Sequence, residues 1–209
     1  EGRAAVEGDW LVKFSKSKCI EDAFHHGRLR ISPASEYAKG SHLRAVKDLE
    51  TARPYKLRAF AEAMRGETSV KFQGHTLPIE KGTVDLEFMM DDYFLFCTCT
   101  DISRRMPTDF EADAALIIKD KMAFIDRLRK AFAQQYPHWQ FLEGNVYYYD
   151  PFNDIPKDMN QEFWKHISFS YQKEHRCVLR PKRKEEGELQ AFFVELGSLE
   201  DISEMVLHS

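Results

Sequence analysis

One stretch of the chain offers the best case for chemistry: residues 169–181, where polar and charged residues lead directly into an apolar segment. If that segment is a β-strand, its period of two places Glu174, Arg176 and Val178 on one face. The carboxylate then lies beside a guanidinium, which would keep Glu174 ionised and restrict its rotamer. Such a carboxylate can accept a hydrogen bond from a substrate hydroxyl or face a developing positive charge. The residues alone leave open the alternative of an ordinary ion pair at a strand end.

Length and composition predict one domain over residues 1–209. The chain has 209 residues and no visible linker, which favours a single α+β domain. A hydrophobic fraction of 43% and 16 phenylalanines suffice for a core, and 31% charged residues provide a solvated surface. The net charge of -4 argues against a general nucleic-acid coat protein, which usually presents a basic surface.

The sequence also predicts where the protein works. Residues 1–20 lack the apolar core of a signal peptide, and no run approaches the roughly 20 apolar residues of a membrane span. Cys97, Cys99 and Cys177 lie in apolar, strand-like runs, where cysteine usually serves as a small buried hydrophobe. These features predict a reducing, cytoplasmic location without membrane contact.

The order of elements predicts mixed, mostly antiparallel sheets with peripheral helices. The chain opens as strand (residues 10–14), helix and strand (residues 28–32), with Ser15 or Ser17 as the helix N-cap and Gly27 as its C-terminal stop. A helix is predicted over residues 52–64 by apolar residues at helical spacing. The further predictions are a hairpin at 69–79, strands at 84–88, 93–99 and 114–118, an Asp120-capped helix, a strand at 146–149 and a short helix at 161–167.

Two of these elements bear on the strand that carries Glu174. The segment 93–99 is apolar on both faces, which predicts a central strand covered on both sides. Residues 191–196 are predicted to be the antiparallel partner of the Glu174 strand. A short helix plus a strand are predicted for the C-terminal residues 199–207.

Several common chemistries lack their motifs. The chain has neither a phosphate-binding P-loop nor the Gly-x-Gly-x-x-Gly of a dinucleotide fold. Cys97-Thr98-Cys99 has no second pair of ligands at zinc-binding spacing. A metal-dependent nuclease would need converging carboxylates, and the residues that could be recruited are Asp48, Glu50, Asp85 and Glu87.

Four short motifs follow one another along the chain. They are the Lys13-Phe14 strand, Gly27-Arg28-Leu29-Arg30-Ile31-Ser32, the polar segment with Arg44, Asp48 and Glu50, and Tyr171-x-x-Glu174-x-Arg176. Their combination resembles a group of bacterial uncharacterised domains similar to ADP-ribosyltransferases. The resemblance spans nearly the whole chain and implies an ADP-ribosyltransferase-like fold that uses NAD as a substrate.

The resemblance also implies residue roles. Glu174 would be the catalytic residue, stabilising the oxocarbenium-like ribose formed when the nicotinamide bond breaks. Tyr37, with Tyr171 as second choice, would hold the nicotinamide ring, and Arg44 or Arg30 would clamp the pyrophosphate. In the opening strand, Lys13, Phe14 and Ser15 stand where the best-known branches place His or Arg. The implied NAD-binding set is Lys13, Ser15, Arg30, Ser32, Tyr37, Arg44, Tyr171 and Arg176.

The biological setting comes from the resemblance as well. Related enzymes act in phage defence and in toxin–antitoxin systems, and one similar toxin type modifies messenger RNA. The acceptor is therefore expected to be nucleic acid, with RNA favoured, or protein, and an inhibitory antitoxin partner is expected. Two alternatives stay open, a metal-dependent nuclease using Asp48 and Glu50 and a non-catalytic binding module.

Overall fold

The computed structural model, which describes residues 10–38, 50–72, 74–154, 160–183 and 187–207, has an α+β fold with mostly antiparallel sheets and few helices. The strands are β1 (Leu11–Ser15), β2 (Arg28–Pro33), β3 (Ala52–Arg58), β4 (Ser69–Phe72), β5 (His75–Pro78), β6 (Thr83–Met89), β7 (Phe94–Cys99), β8 (Ala114–Ile118), β9 (Gln140–Asn145), β10 (Tyr147–Tyr149), β11 (Trp164–His166), β12 (Glu174–Arg180), β13 (Phe192–Glu195) and β14 (Ser203–Leu207). The α-helices are α1 (Ser17–His26), α2 (Phe60–Met64), α3 (Met106–Asp109) and α4 (Lys121–Gln135). Three 3₁₀ helices cover Ala34–Ala38, Gln161–Phe163 and Ile167–Gln172.

The main sheet forks at β7. One edge of β7 pairs with β12 along its whole length, and β9 follows β12. The other edge is shared, because β1 pairs with β7 at Cys99 whereas β2 pairs with it at Leu95 and Phe94. One branch continues from β1 through β8 to β14, and the other continues from β2 to β13. The branches therefore separate beside the middle of β7.

The two faces of this sheet pack against different groups of side chains. On the back, Phe96, Cys177 and Leu179 pack in the main core with side chains of α4, such as Phe124 and Leu128. On the front, Leu95 and Val178 belong to a smaller cluster that includes Tyr37 and Tyr93. The prediction that β7 is a central strand covered on both faces is confirmed by this burial.

The predicted strand–helix–strand opening is confirmed. Gly27 follows α1 in the left-handed region, with φ of 65°, and its N–H donates to Ala23. The predicted N-cap is wrong, because Lys16 occupies that position without a side-chain cap. The N–H of Ser17 donates instead to the carboxylate of Asp113, a residue far away in sequence. A tertiary contact thus replaces the local cap.

Three predicted elements differ from the structure. The helix predicted at 52–64 is wrong over most of its length, because β3 pairs with β6 at every residue and buries Tyr55, so that only Phe60–Met64 is helical. The helix predicted at 161–167 is also wrong, since β11 pairs there with β10 between two short 3₁₀ helices. The strand at 191–196 exists as β13, but its partner is β2 rather than the Glu174 strand. Long-range pairing decides each case, and helical spacing cannot reveal it.

Other predictions are confirmed. The hairpin of β4 and β5 forms at 69–78, and Asp120 accepts a hydrogen bond from the Ala123 N–H at the start of α4. Cys99 and Cys177 are buried. Within the described ranges, no helix is both long and apolar enough to cross a membrane.

A substitution at Gly27 would test how closely the end of α1 packs against the segment after β13. An alanine Cβ at Gly27 would lie 2.0 Å from the carbonyl oxygen of Gly197, in addition to the strain at positive φ. We expect Gly27→Ala to lower the free energy of unfolding by about 3 kcal/mol or more, measured by urea denaturation. Gly66→Ala is the control, because Gly66 has a φ of +79° and nothing within 4 Å of an added Cβ. Equal losses in the two variants would contradict the close packing.

Candidate functional site

Arg176 lies at the centre of the front face and is fully buried. Its Nε donates to Glu174 at 3.1 Å. Its Nη1 donates to Glu50 at 2.8 Å and to the Glu162 carbonyl at 2.6 Å, and its Nη2 donates to Glu50 at 2.8 Å and to Glu174 at 2.9 Å. These bonds use all five N–H groups of the guanidinium. Arg176 therefore holds two carboxylates in place and has no donor left for a ligand.

Glu50 is bound on both carboxylate oxygens. Arg176 binds it as a two-pronged fork, and the Arg53 Nη2 adds a contact of 3.0 Å. Its side chain is only 3% exposed. The hydroxyl of Tyr93 donates to the Glu50 carbonyl at 3.2 Å, which also fixes the backbone.

Glu174 is held through both side chain and backbone. Arg176 binds Oε2, and the Lys165 Nζ lies 3.2 Å from Oε1. The Glu174 N–H donates to the Tyr148 hydroxyl at 2.7 Å. Lys173, just before it, has a left-handed backbone with φ of 44°, and its carbonyl accepts hydrogen bonds from Thr100. The backbone that carries the Glu174 carboxylate is therefore itself held in place by hydrogen bonds.

The cations around these carboxylates keep both ionised. Burial by itself raises the pKa of Glu50, but Arg176, Lys165 and Arg53 outweigh it and lower the pKa to about 2. Burial likewise opposes ionisation of Glu174, yet Lys165 and Arg176 lower its pKa below the usual value. Burial raises the pKa of the Cys97 thiol well above its ordinary value. That thiol stays protonated, which argues against nucleophilic cysteine chemistry at this site.

A cleft of about 230 Å³ opens over these groups, next to the fork of the sheet. Side chains from both branches and from β7, β11 and β12 line it. They are Lys13, Phe14, Ser15, Lys16, Tyr37, Glu50, Cys97, Phe110, Glu111, Lys165 and Glu174. In the fork, the ammonium of Lys13 donates to the Cys97 carbonyl at 2.9 Å. The cleft thus combines aromatic walls, a carboxylate floor and lysines.

The cleft brings together four of the nine residues predicted for the site, namely Glu174, Lys13, Ser15 and Tyr37. Arg176 lies beneath it and acts on the cleft through the two carboxylates.

Three predicted residues, Arg30, Ser32 and Tyr171, do not line the cleft. Arg30 donates to Ser32 at 2.6 Å and to Glu36 at 2.7 Å, and it lines a separate open pocket. The ring of Tyr171 lies 3.9 Å from the Arg105 guanidinium and does not line the cleft. Arg44, and Asp48 of the nuclease hypothesis, lie outside the described residues.

Sequence reasoning missed Lys165, Tyr148 and Phe110. Lys165 lies in a segment predicted to be helical, so no local pattern indicated that it contacts Glu174. Tyr148 lies in a run of three tyrosines, and only the parallel pairing of β10 with β11 places it opposite Lys165. Phe110 stacks on Phe14 with ring centroids 6.0 Å apart. A signal for these residues would have required knowledge of pairings that are distant in sequence.

The nuclease hypothesis would require Glu50 to take part in a metal site. Among the described residues, no group of three or more His, Cys, Asp or Glu side chains could hold a metal ion. Glu50 binds two guanidiniums, and Asp85 lies exposed on β6, 3.0 Å from Lys56. The carboxylates of the site, Glu50 and Glu174, are therefore buried and already bound to cationic side chains.

Comparison with known proteins does not identify a family for this chain. No protein-family model, curated protein or solved structure matches this chain. The similarity to ADP-ribosyltransferases therefore stays a prediction from the sequence motifs.

Replacing Arg176 should destabilise the protein far more than replacing Arg180, the last residue of the same strand. Lysine has three N–H donors in place of five, so Arg176→Lys leaves buried acceptors without a partner. We expect a loss of about 3–5 kcal/mol in the free energy of unfolding, measured by urea denaturation. Arg180→Lys is the matched control, because the Arg180 side chain is 30% exposed and lies 2.8 Å from Glu162. Its loss should stay near or below about 1 kcal/mol, and a similar loss in both variants would refute the role of Arg176.

The buried carboxylates should also make stability depend on acid pH. Glu50 has a pKa of about 2 in the folded protein against an ordinary value of 4.5, so the unfolded chain binds more protons between these values. Stabilisation by Glu50 is complete above about pH 4.5 and is lost as the pH falls towards about 2. Urea unfolding across this window should show Glu50→Gln less stable at neutral pH but less sensitive to acid than the wild type. Glu204→Gln, at an exposed ion pair with Lys119, controls for loss of a carboxylate. Equal acid sensitivity in Glu50→Gln and wild type would contradict the expectation.

Proposed function

We propose that this protein is an NAD-dependent ADP-ribosyltransferase with an ADP-ribosyltransferase-like fold. The observation that carries the proposal is the floor of the cleft, where Glu174 and Glu50 are held ionised around one buried guanidinium. The sequence motifs around Glu174 support the same function independently. The opening β1–α1–β2 is the order of elements that the resemblance implies for the fold.

The charge state of the carboxylates suits the nicotinamide bond of NAD. When that bond breaks, its electron pair goes to the positively charged ring nitrogen, and neutral nicotinamide leaves without taking up a proton. Positive charge develops on the ribose, and the acceptor then bonds to the anomeric carbon and loses a proton. Most glycosidases need a protonated carboxyl group to assist a poorer leaving group. Two ionised carboxylates supply no such acid but stabilise a cationic ribose.

The cleft-lining residues can be given roles in this reaction. Glu174 accepts a hydrogen bond from a ribose hydroxyl and faces the developing charge. Tyr37 provides an aromatic face for the nicotinamide ring, and Lys13 and Ser15 provide polar contacts where the branches of the sheet separate. Arg176 contributes by fixing the carboxylates.

The other NAD contacts and the biological setting rest on the resemblance alone. The resemblance assigns the pyrophosphate to Arg30 or Arg44 and adds Ser32 and Tyr171 to the NAD-binding set. Arg30, Ser32 and Tyr171 do not line the cleft, so Arg44 is the residue to which we assign the pyrophosphate. RNA is the favoured acceptor, with DNA or protein as the other acceptors. We also propose that the protein is a cytoplasmic toxin-type effector in phage defence that is restrained by an antitoxin protein.

The decisive experiment incubates the protein with labelled NAD and a cell extract that contains protein, RNA and DNA. Label should enter one of these fractions with wild-type protein and fall by about 100-fold or more with Glu174→Gln. The matched control is Glu143→Gln, which removes a carboxylate that binds His175 on the opposite face of β12. It should transfer label at the wild-type rate.

Three further outcomes would decide against the proposal. Normal transfer by a folded Glu174→Gln protein would remove Glu174 from the mechanism. If Glu174→Gln does not fold, Glu174→Asp is the second variant, because it keeps a negative charge near Arg176. No transfer by folded wild-type protein with any fraction would favour a binding module. Metal-dependent cleavage of the nucleic acid, abolished by chelation, would favour the nuclease.

A further inference from the structure

The two-stranded ribbon of β10 and β11 brings two side chains to Glu174. Tyr148 and Lys165 are paired across the ribbon. The Tyr148 hydroxyl accepts the N–H of Glu174 at 2.7 Å, and the Lys165 ammonium lies 3.2 Å from its Oε1. The ribbon therefore contacts both the backbone and the carboxylate of the proposed catalytic residue.

The distribution of charge explains why Glu174 needs a second cation. Arg176 carries one positive charge and directs a two-pronged fork at Glu50, which leaves Nε and one N–H of Nη2 for Glu174. Both bonds to Glu174 go to the same oxygen, Oε2. Arg53 contacts Glu50 through Nη2. Lys165 is the cation that contacts the remaining oxygen of Glu174, and it lies 3.9 Å from Glu50.

We propose that Lys165 is a positioning residue that keeps Glu174 ionised and oriented when a ligand displaces water from the cleft. The inference rests on the proposed function for the role of Glu174, but the contact itself is independent of any substrate. Displacing water from a carboxylate favours its protonated form unless a cation lies close by. A protonated Glu174 could not stabilise a cationic ribose.

Lys165 is itself held in place. Its side chain is 4% exposed, lies over the ring of Phe169 with Nζ 4.8 Å from the centroid, and lines the cleft beside Glu174. Packing of this kind restricts the flexible stem of a lysine and so fixes the position of its charge. Among the described residues, the other titratable or charged groups around Glu174 and its cleft are Arg176, Glu50, Tyr148, Cys97, Cys99, Tyr37, Lys13, Lys16 and Glu111.

The first arm of the test measures the ionisation of Glu174 without NAD. The side-chain carboxyl ¹³C signal of Glu174, assigned by its absence in Glu174→Gln, is titrated by NMR in three proteins. In Lys165→Met the midpoint should lie at least about one pH unit above that of the wild type. Lys165→Arg should restore a low midpoint, because it keeps a cation at this place. An unchanged midpoint in folded Lys165→Met would overturn the proposal.

The second arm measures NAD turnover. Lys165→Met should lower kcat by about tenfold or more with little change in KM, and the acid limb of its pH–rate profile should move to higher pH. Lys165→Arg should recover most of the rate, and Lys56→Met, at an exposed ion pair with Asp85, should behave as wild type. An increase in kcat in Lys165→Met would contradict the proposal, because it would mean that Lys165 blocks Glu174. If wild-type protein turns over no NAD, the proposed function fails while the NMR titration still decides the role of Lys165.

Discussion

The buried guanidinium of Arg176 is the interaction on which the rest of the site depends. Its five N–H groups join the chain segments that carry Glu174, Glu50 and the Glu162 carbonyl. Burying a charge is costly, and the cost is offset only when every donor has a well-placed acceptor. Both carboxylates are consequently held ionised and fixed, and the proposed function depends on this property. A buried ion pair is weak evidence for stability, but here it determines where two negative charges lie.

The fork of the main sheet gives this buried cluster access to the surface. Because β12 occupies one edge of β7 completely, β1 and β2 share the other edge and separate beside its centre. The separation leaves space above Glu174, with Phe14 on one branch and Tyr37 following the other. The back of the same strands is covered by α1 and α4, whose side chains pack in the main core. The architecture thus places an ionised carboxylate at the floor of an aromatic-walled cleft.

The smaller sheets support this site from the side. Tyr55 of β3, Tyr149 of β10 and Trp164 of β11 form a separate cluster, with the rings of Tyr55 and Tyr149 4.8 Å apart. The opposite face of the β10–β11 ribbon carries Tyr148 and Lys165 to Glu174. Packing of aromatic side chains therefore sets the position of a lysine and a phenol that contact the carboxylate, and through Tyr55 it connects this position to β3, a strand remote from β12 in sequence.

Local patterns of residues were enough to predict the β1–α1–β2 opening, the Gly27 stop, the central apolar strand β7 and the alternation that pairs Glu174 with Arg176. These follow from periodicity and turn chemistry, which act over a few residues. The folded chain was needed to show that Glu50 shares Arg176, that residues 52–58 form a strand, that β13 pairs with β2, and that Lys165 contacts Glu174. Each depends on strand pairing or on a side-chain contact that the fold creates, where burial and pairing outweigh local propensity and leave no short-range pattern to read.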